Sequence, residues 1–415
     1  MEKEQLRQTI LDQQEFFRKN TELINREINL NNYLKGNEII IITGIRRCGK
    51  SSLLKIISDK INKAYIYINF DDIKINDFEV KNFEDIEEIS SEIHGKKEII
   101  YFLDEIQNIH LWEKWVNNLY SKNIKVFVTG SNSNLLSSEI STFLTGRNKV
   151  IKLSPFSFKE FLNFKKINVE YKTTEEKRKV VNSFNEYFEI GGFPLIIKNN
   201  DLELSKQYFE DILNKDLIKR YGIKKIKELN DLIIYLFSNI GVTYSYSTLK
   251  LVSGIKSLSM IKNYIDYLKN VFLVYTINRF DFSIKKQKIS SSKIYVLDNS
   301  FLKTVGFNFS ENLGRRLENL VFIELLRKNQ FIYYHSEKFE CDFVIKEGLK
   351  ITKLIQVALN LDNLKLKQRE INGLLEAMGK YKLNECLILT LETEDLINLD
   401  GKKIIIKPVW KWLLE

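Results

Sequence analysis

Residues 44 to 52 read GIRRCGKSS: a glycine, four residues, then glycine, lysine and serine. At this spacing each residue type suits a polyphosphate. Gly44 and Gly49 let the backbone curl, so that the amides of Ile45, Arg46, Arg47, Cys48 and Gly49 turn inward toward phosphate oxygens. Lys50 brings a point charge to the outer phosphates. The Ser51 hydroxyl is a magnesium ligand, and Ser52 continues the first turn of the helix that follows. A second acidic set comes from KKEIIYFLDEIQNI, residues 96 to 109. Its apolar run ends in Asp104, placed to hold Mg²⁺, and Glu105, placed to polarise an attacking water. NIKVFVTGSNSNLL, residues 123 to 136, supplies small polar side chains after a third apolar run. Ser131 or Asn132 would reach the terminal phosphate.

These groups need scaffolding. EIIIITG, residues 38 to 44, is a continuous apolar run ending at glycine and reads as a buried parallel strand. KSSLLKIISDKI, from Lys50, has helical apolar spacing. Strand, glycine-bearing loop and helix in that order are the context a phosphate-binding loop requires, because the helix N-terminus adds partial positive charge. The expected cofactors are ATP and Mg²⁺.

Composition narrows the class. At 415 residues with 44% hydrophobic content the chain is long enough for several domains. Cys48, Cys341 and Cys386 are widely spaced and odd in number, which argues for free thiols and a cytoplasmic location. No stretch approaches the ~18 apolar residues of a membrane span, so no membrane association is expected. The net charge of +10 suits an anionic partner such as DNA, or reflects a lysine-rich composition alone.

LDEIQ, TGSNSNLLS, LTGR (144 to 147) and LSPFSFKEFL (153 to 162) resemble a bacterial and archaeal family of AAA+-type ATPases that carry a C-terminal domain of unknown function. GGFP (191 to 194), YVLDNSFL (295 to 302) and GRRLENLVFIELL (314 to 326) resemble later motifs of that family. The resemblance implies an additional-strand, catalytic-glutamate core in which the third strand lies between the other two. Lys50, Ser51, Asp104 and Glu105 are the matching positions. It also makes Arg147 a candidate arginine finger, often supplied from a neighbouring subunit of a homo-oligomer. The alternative for Arg147 is a loop arginine paired to a surface carboxylate.

The expected fold is therefore α/β: an N-terminal helical segment (1–34), a P-loop ATPase core with a parallel sheet (35–160), a helical lid (161–225), a winged-helix-like middle domain (226–297) and a C-terminal α/β restriction-nuclease-like domain (298–415). In the middle domain three helices precede two strands, and Lys256, Lys262 and Lys269 would lie near DNA phosphates. A purely structural winged helix is the alternative. In the last domain a helical glutamate, with Glu324 carried over, Asp342 in ECDFVIK and Gln356 in KLIQVALNL follow the layout of PD-(D/E)XK nucleases. Gln356 replaces the metal carboxylate there, and Ala358 stands where a lysine is required. These positions read as vestigial unless a shifted lysine such as Lys353 substitutes. The function expected is Mg²⁺-dependent ATP hydrolysis coupled to double-stranded DNA or to a DNA-associated protein partner at the C-terminal domain. A nucleotide-gated protein-binding switch and an ATP-dependent nuclease are the alternatives.

Overall fold

The structure, a computed structural model, describes residues 1–19, 23–95, 97–133, 144, 146–306 and 313–415. They divide into two compact units: Met1–Pro155 with Asn270–Phe272, and Phe156–Lys269 with Leu273–Glu415.

In the first unit the apolar runs form the strands β1 (Ile39–Thr43), β2 (Ala64–Asn69), β3 (Ile99–Asp104), β4 (Val126–Gly130) and β5 (Asn148–Lys152). All pair in parallel, in the order β2-β3-β4-β1-β5. Every residue of β1 and β4 is buried, as expected where crossover helices cover both faces. The strand expected between the phosphate loop and the acidic pair is β4. Register brings Thr43 beside Gly130 and Asn69 beside Asp104. The polar groups that sequence reading singled out thus share the C-terminal edge of one sheet, where α/β proteins bind ligands.

The edge strand β2 is covered by the N-terminal helix Lys3–Arg18. Gln14 donates to the Tyr65 carbonyl at 2.7 Å, and Gln13 accepts from the Asn69 amide at 2.9 Å. Leu6 and Ile10 of that helix enter the same core as Ile66, Phe83 and Trp115. An otherwise open row of strand hydrogen-bonding groups is thereby closed.

The second unit begins with helices Phe158–Phe164 and Thr174–Ile190, each started by a capping box, Ser157 with Glu160 and Thr173 with Glu176. The second helix stops at Gly191, whose φ is 76°. A Cβ there would lie 1.9 Å from Asp298 Oδ1, and Asp298 Oδ2 accepts from the Gly192 amide at 2.8 Å. GGFP and YVLDN, far apart in sequence, are one contact. Helices Ile226–Ser238, Tyr246–Ser253 and Leu258–Asn270 follow. They accompany an antiparallel sheet of β6 (Thr243–Tyr244), β7 (Val274–Asn278) and β8 (Ser292–Val296), in the order β6-β8-β7. Only β7 and β8 are expected from sequence; β6 is two residues long, too short to show an alternating pattern.

The chain ends in a six-stranded mixed sheet of β9 (Phe331–Ser336), β10 (Glu340–Glu347), β11 (Lys350–Val357), β12 (Glu385–Thr390), β13 (Asp395–Leu399) and β14 (Lys402–Pro408). The order is β13-β14-β12-β11-β10-β9. Helices Leu313–Arg327 and Leu364–Tyr381 accompany it. The second lies so close to β10 that a Cβ on Gly373 would come within 2.0 Å of the Glu340 carbonyl oxygen. Among the described residues no helix is long and apolar enough to cross a membrane.

The Gly373 contact is with rigid backbone, so a methyl group there must push helix and strand apart. Gly373→Ala should destabilise the protein by about 1–3 kcal/mol, read as a lower urea midpoint with unchanged slope.

Candidate nucleotide site

The loop after β1 is shaped by its neighbours as well as by its glycines. A Cβ on Gly44 would sit 2.0 Å from the Leu153 carbonyl oxygen, so only glycine passes there. Gly49, at φ 101°, caps the Lys50–Ile61 helix, and Arg47 is exposed at φ 70°. Ile45 and Cys48 are buried and anchor the loop; the Cys48 thiol donates to Leu153 O at 3.4 Å. Arg46 pairs with Asp71 beyond β2 at 3.1 Å. Ser52 is exposed on the first helical turn.

Lys50, with 4% of its side chain exposed, donates to the carbonyls of Gly44 and Ile45 and lies 3.2 Å from Glu105 Oε1. Burial works against its charge, but Glu105 and Asp104 hold its pKa above the usual lysine value. Burial would likewise neutralise Glu105. The Lys50 ammonium, the Gln107 amide and the Arg46 guanidinium outweigh it and bring the carboxyl down to about 2. Asp104 goes the other way: burial and the adjacent Glu105 charge raise its pKa, opposed by hydrogen bonds from Ser51 and Thr129. The Ser51–Asp104 bond joins the two groups expected to share a metal.

Thr129, the penultimate residue of β4, is the hinge of this arrangement. Its hydroxyl donates to Asp104 Oδ1 and accepts from the Glu105 amide at 2.9 Å. Tyr67 on β2 donates to the other Asp104 oxygen at 3.0 Å. Gln107 donates to Glu105 Oε2 at 2.7 Å, and Glu105 itself lies in the left-handed region at φ 51°. Ser131 and Asn132 are buried just past β4, and the Thr43 hydroxyl donates to Asn132 O at 3.3 Å. Sequence reading missed Thr129, Tyr67 and Gln107. It also missed Arg26, which donates to Cys48 O at 3.1 Å and Ser154 O at 2.7 Å.

Arg147 is not part of this constellation. It precedes β5, and its carbonyl accepts from Ile39 at the start of β1. The length of β1, roughly 13 Å at 3.3 Å per residue, separates it from the phosphate loop. Its guanidinium donates to Asn117 Oδ1 and lies 5.6 Å from the Tyr120 ring. Two motifs of the expected family fall partly outside the described residues, at 134–137 and at 145.

In the second unit Asp342 and Gln356 do meet: Gln356 Oε1 accepts from the Asp342 amide at 3.1 Å. Glu324 does not join them. It pairs with Arg327 and Lys328, while Glu318 takes the place expected of it. Six residues along a helix turn the side chain by about 120°, so the two glutamates cannot share a face. Lys353 is exposed and lines a different cavity with Cys386 and Trp412, because an odd spacing from Gln356 puts it on the other face of β11. Arg220 pairs with Asp216 at 3.8 Å, and Arg369 with Glu370 at 2.6 Å.

Comparison with known proteins agrees with the first unit. Residues 36–162 match an AAA domain, and residues 181–312 match a domain of unknown function (DUF8612). The uncharacterized protein MJ1544 of Methanocaldococcus jannaschii is 36% identical over 98% of this chain and 94% of its own length. The chain belongs to that protein's family. An uncharacterized Haemophilus influenzae protein is 32% identical over 91% of the chain and 94% of its own length. The solved Thermotoga maritima RuvB Holliday junction branch migration motor is 15% identical, covering 66% of this chain and 97% of its own, with a TM-score of 0.31. That value is too low to carry an inference. The match over residues 36–162 makes that part of the chain an AAA-type P-loop ATPase module.

Thr129→Val keeps the shape of the side chain and deletes both hydrogen bonds. It should lower the turnover number for ATP by roughly ten- to a hundred-fold, as expected when reacting groups are misplaced. KM for ATP should stay within about three-fold, as the backbone amides of the loop from Gly44 to Gly49 are untouched.

Proposed function

We propose that this protein hydrolyses ATP with Mg²⁺ and uses the turnover to act on double-stranded DNA. The observation that carries the ATPase reading is the set of Lys50, Ser51, Asp104 and Glu105, with Lys50 and Asp104 buried, held in one hydrogen-bonded group. Ser51 and Asp104 have the hydroxyl and carboxylate chemistry of a magnesium pair, and Mg²⁺ would neutralise phosphate charge when bound. Lys50 leaves Glu105 for the outer phosphates. Glu105, ionised at neutral pH, then orients a water and takes up its proton. Ser131 and Asn132 offer donors to the terminal phosphate.

Arg147 fits only an action in trans. It lies at the opposite edge of the sheet from its own phosphate loop, so a finger role requires a homo-oligomer that presents Arg147 to a neighbour's site.

The DNA reading rests on the middle of the chain. Three helices with a three-stranded antiparallel sheet are the ingredients of a winged helix, and the exposed Lys256, Lys262 and Lys269 lie along the Leu258–Asn270 helix and its approach. Lys285, Lys286 and Lys288, between β7 and β8, are also exposed and would form the wing. We read the six-stranded module as nuclease-like in fold but without cleavage activity, because Ala358 occupies the lysine position.

Steady-state ATP hydrolysis with and without duplex DNA tests this reading, with Glu105→Gln as the blank. The wild type should be stimulated several-fold by DNA, and Glu105→Gln should be inactive but still bind ATP. Replacing Lys256, Lys262 and Lys269 together by glutamate should weaken DNA binding at least ten-fold and abolish the stimulation, leaving the DNA-free rate intact. An unstimulated wild type would shift the search to a protein partner.

A further inference from the structure

The second unit buries a lysine among carboxylates, with no role in the reading above. Lys293, on β8, is 1% exposed. Its ammonium lies 2.6 Å from Glu340 Oε1, 3.2 Å from Asp342 Oδ1 and 3.4 Å from Glu318 Oε1. These carboxylates come from β10 and from the Leu313–Arg327 helix, and they floor a cavity of about 560 Å³. Burial opposes the charge on Lys293, but the surrounding acids hold its pKa well above the ordinary value.

The remaining polar groups are also engaged. Asp342 Oδ2 accepts from the Val357 amide at 3.0 Å. Glu318 Oε1 accepts from the Tyr295 hydroxyl at 2.6 Å. Gln356 spends its carbonyl on the Asp342 amide and its NH₂ on Glu370. A divalent ion bound by the same oxygens would sit about 2.0–2.6 Å from them, inside the volume the ammonium fills.

We propose that Lys293 is the resident cation of this pocket. The carboxylates hold it where a nuclease-like module would hold a divalent ion. The site is thereby closed to metal, and its charge cluster becomes a clasp. The clasp joins β8 of the three-stranded sheet to β10 of the six-stranded sheet. The Arg279–Tyr334 bridge and the Phe280 amide, which donates to Tyr334 O at 2.8 Å, extend the same seam. Within the second unit the three-stranded sheet and the C-terminal module therefore move as one body. The choice of ion rests on the nuclease-like reading; the clasp does not.

The test uses the full chain carrying Asp104→Asn, which silences the phosphate-loop metal position, with Mn²⁺ as the probe followed by electron paramagnetic resonance and thermal unfolding. This parent should show no Asp342-dependent Mn²⁺ binding at millimolar concentration and no Asp342-dependent shift in Tm. Adding Lys293→Met should lower Tm in EDTA by several degrees. Mn²⁺ should then restore part of the loss, with affinity at least ten-fold above the parent's, and Asp342→Asn should abolish the gain. Asp342-dependent Mn²⁺ binding by the parent overturns the proposal, and that comparison needs no Lys293 variant to fold. A folded Lys293→Met protein that gains no Mn²⁺ site also overturns it. Neither result bears on ATP turnover, which is measured separately with Asp104 intact.

Discussion

The Lys50 ammonium, 4% exposed and 3.2 Å from Glu105, is the contact around which the first unit is built. An unpaired charge at that depth costs several kcal/mol. The fold must therefore bring a carboxylate to it, and the order β2-β3-β4-β1-β5 does so by setting β4 between the strand that ends at the loop and the strand that ends in Asp104 and Glu105. Thr129 lies on that intervening strand and bonds both acidic residues. A phosphate group is a stronger partner for Lys50 than Glu105 is, because it brings more negative charge and several acceptors. Ligand binding would release the glutamate at the moment a water needs orienting. Pairing Glu105 with Lys50 keeps both groups charged at this depth.

The second unit repeats the same physics with a different outcome. Lys293 is as deeply buried as Lys50 and is met by three carboxylates instead of one. Lys293 lies within strand β8 and not at the head of a helix behind a glycine-bearing loop, as Lys50 does, and its ammonium is held by oxygens that the fold itself supplies. One buried lysine is available for exchange; the other is committed to the fold. The difference lies in the local backbone and could not be told from residue type.

Legibility from sequence followed the range of the interactions. Gly44, Lys50, Ser51, Asp104 and Glu105 stand at fixed spacing inside strand–loop–helix segments, so their shared edge could be deduced before any coordinates. Thr129 has the same kind of position, but a threonine inside VFVTG looks like any β-branched strand residue. Glu324 was the wrong glutamate because a helix with both Glu318 and Glu324 gives no sign of which face meets β10 until the packing is known. Lys293 and Asp342 are 49 residues apart, on strands of different sheets, and no periodicity links them. Asp298 and Gly192 are more than a hundred residues apart, yet both belong to motifs of the expected family. That the two motifs touch gives a physical reason for the glycine pair: the backbone must turn at positive φ directly against a buried carboxylate.

Arg147 shows what topology adds to a motif. Parallel strands place all their C-terminal ends on one edge, so a residue just before β5 lies on the other edge from the phosphate loop whatever its side chain does. Its guanidinium is held by Asn117 and by the face of Tyr120, both on the Trp112–Ser121 helix. A side chain tied in this way is preorganised at the surface, and little rotamer entropy remains to be lost when it meets a partner. The geometry excludes a contribution to the chain's own site and leaves two roles: a brace between helix and sheet, or a group presented to another copy. A brace stabilises the monomer at any dilution. A group presented to a neighbour makes turnover depend on assembly, and only the second would render hydrolysis per subunit sensitive to protein concentration.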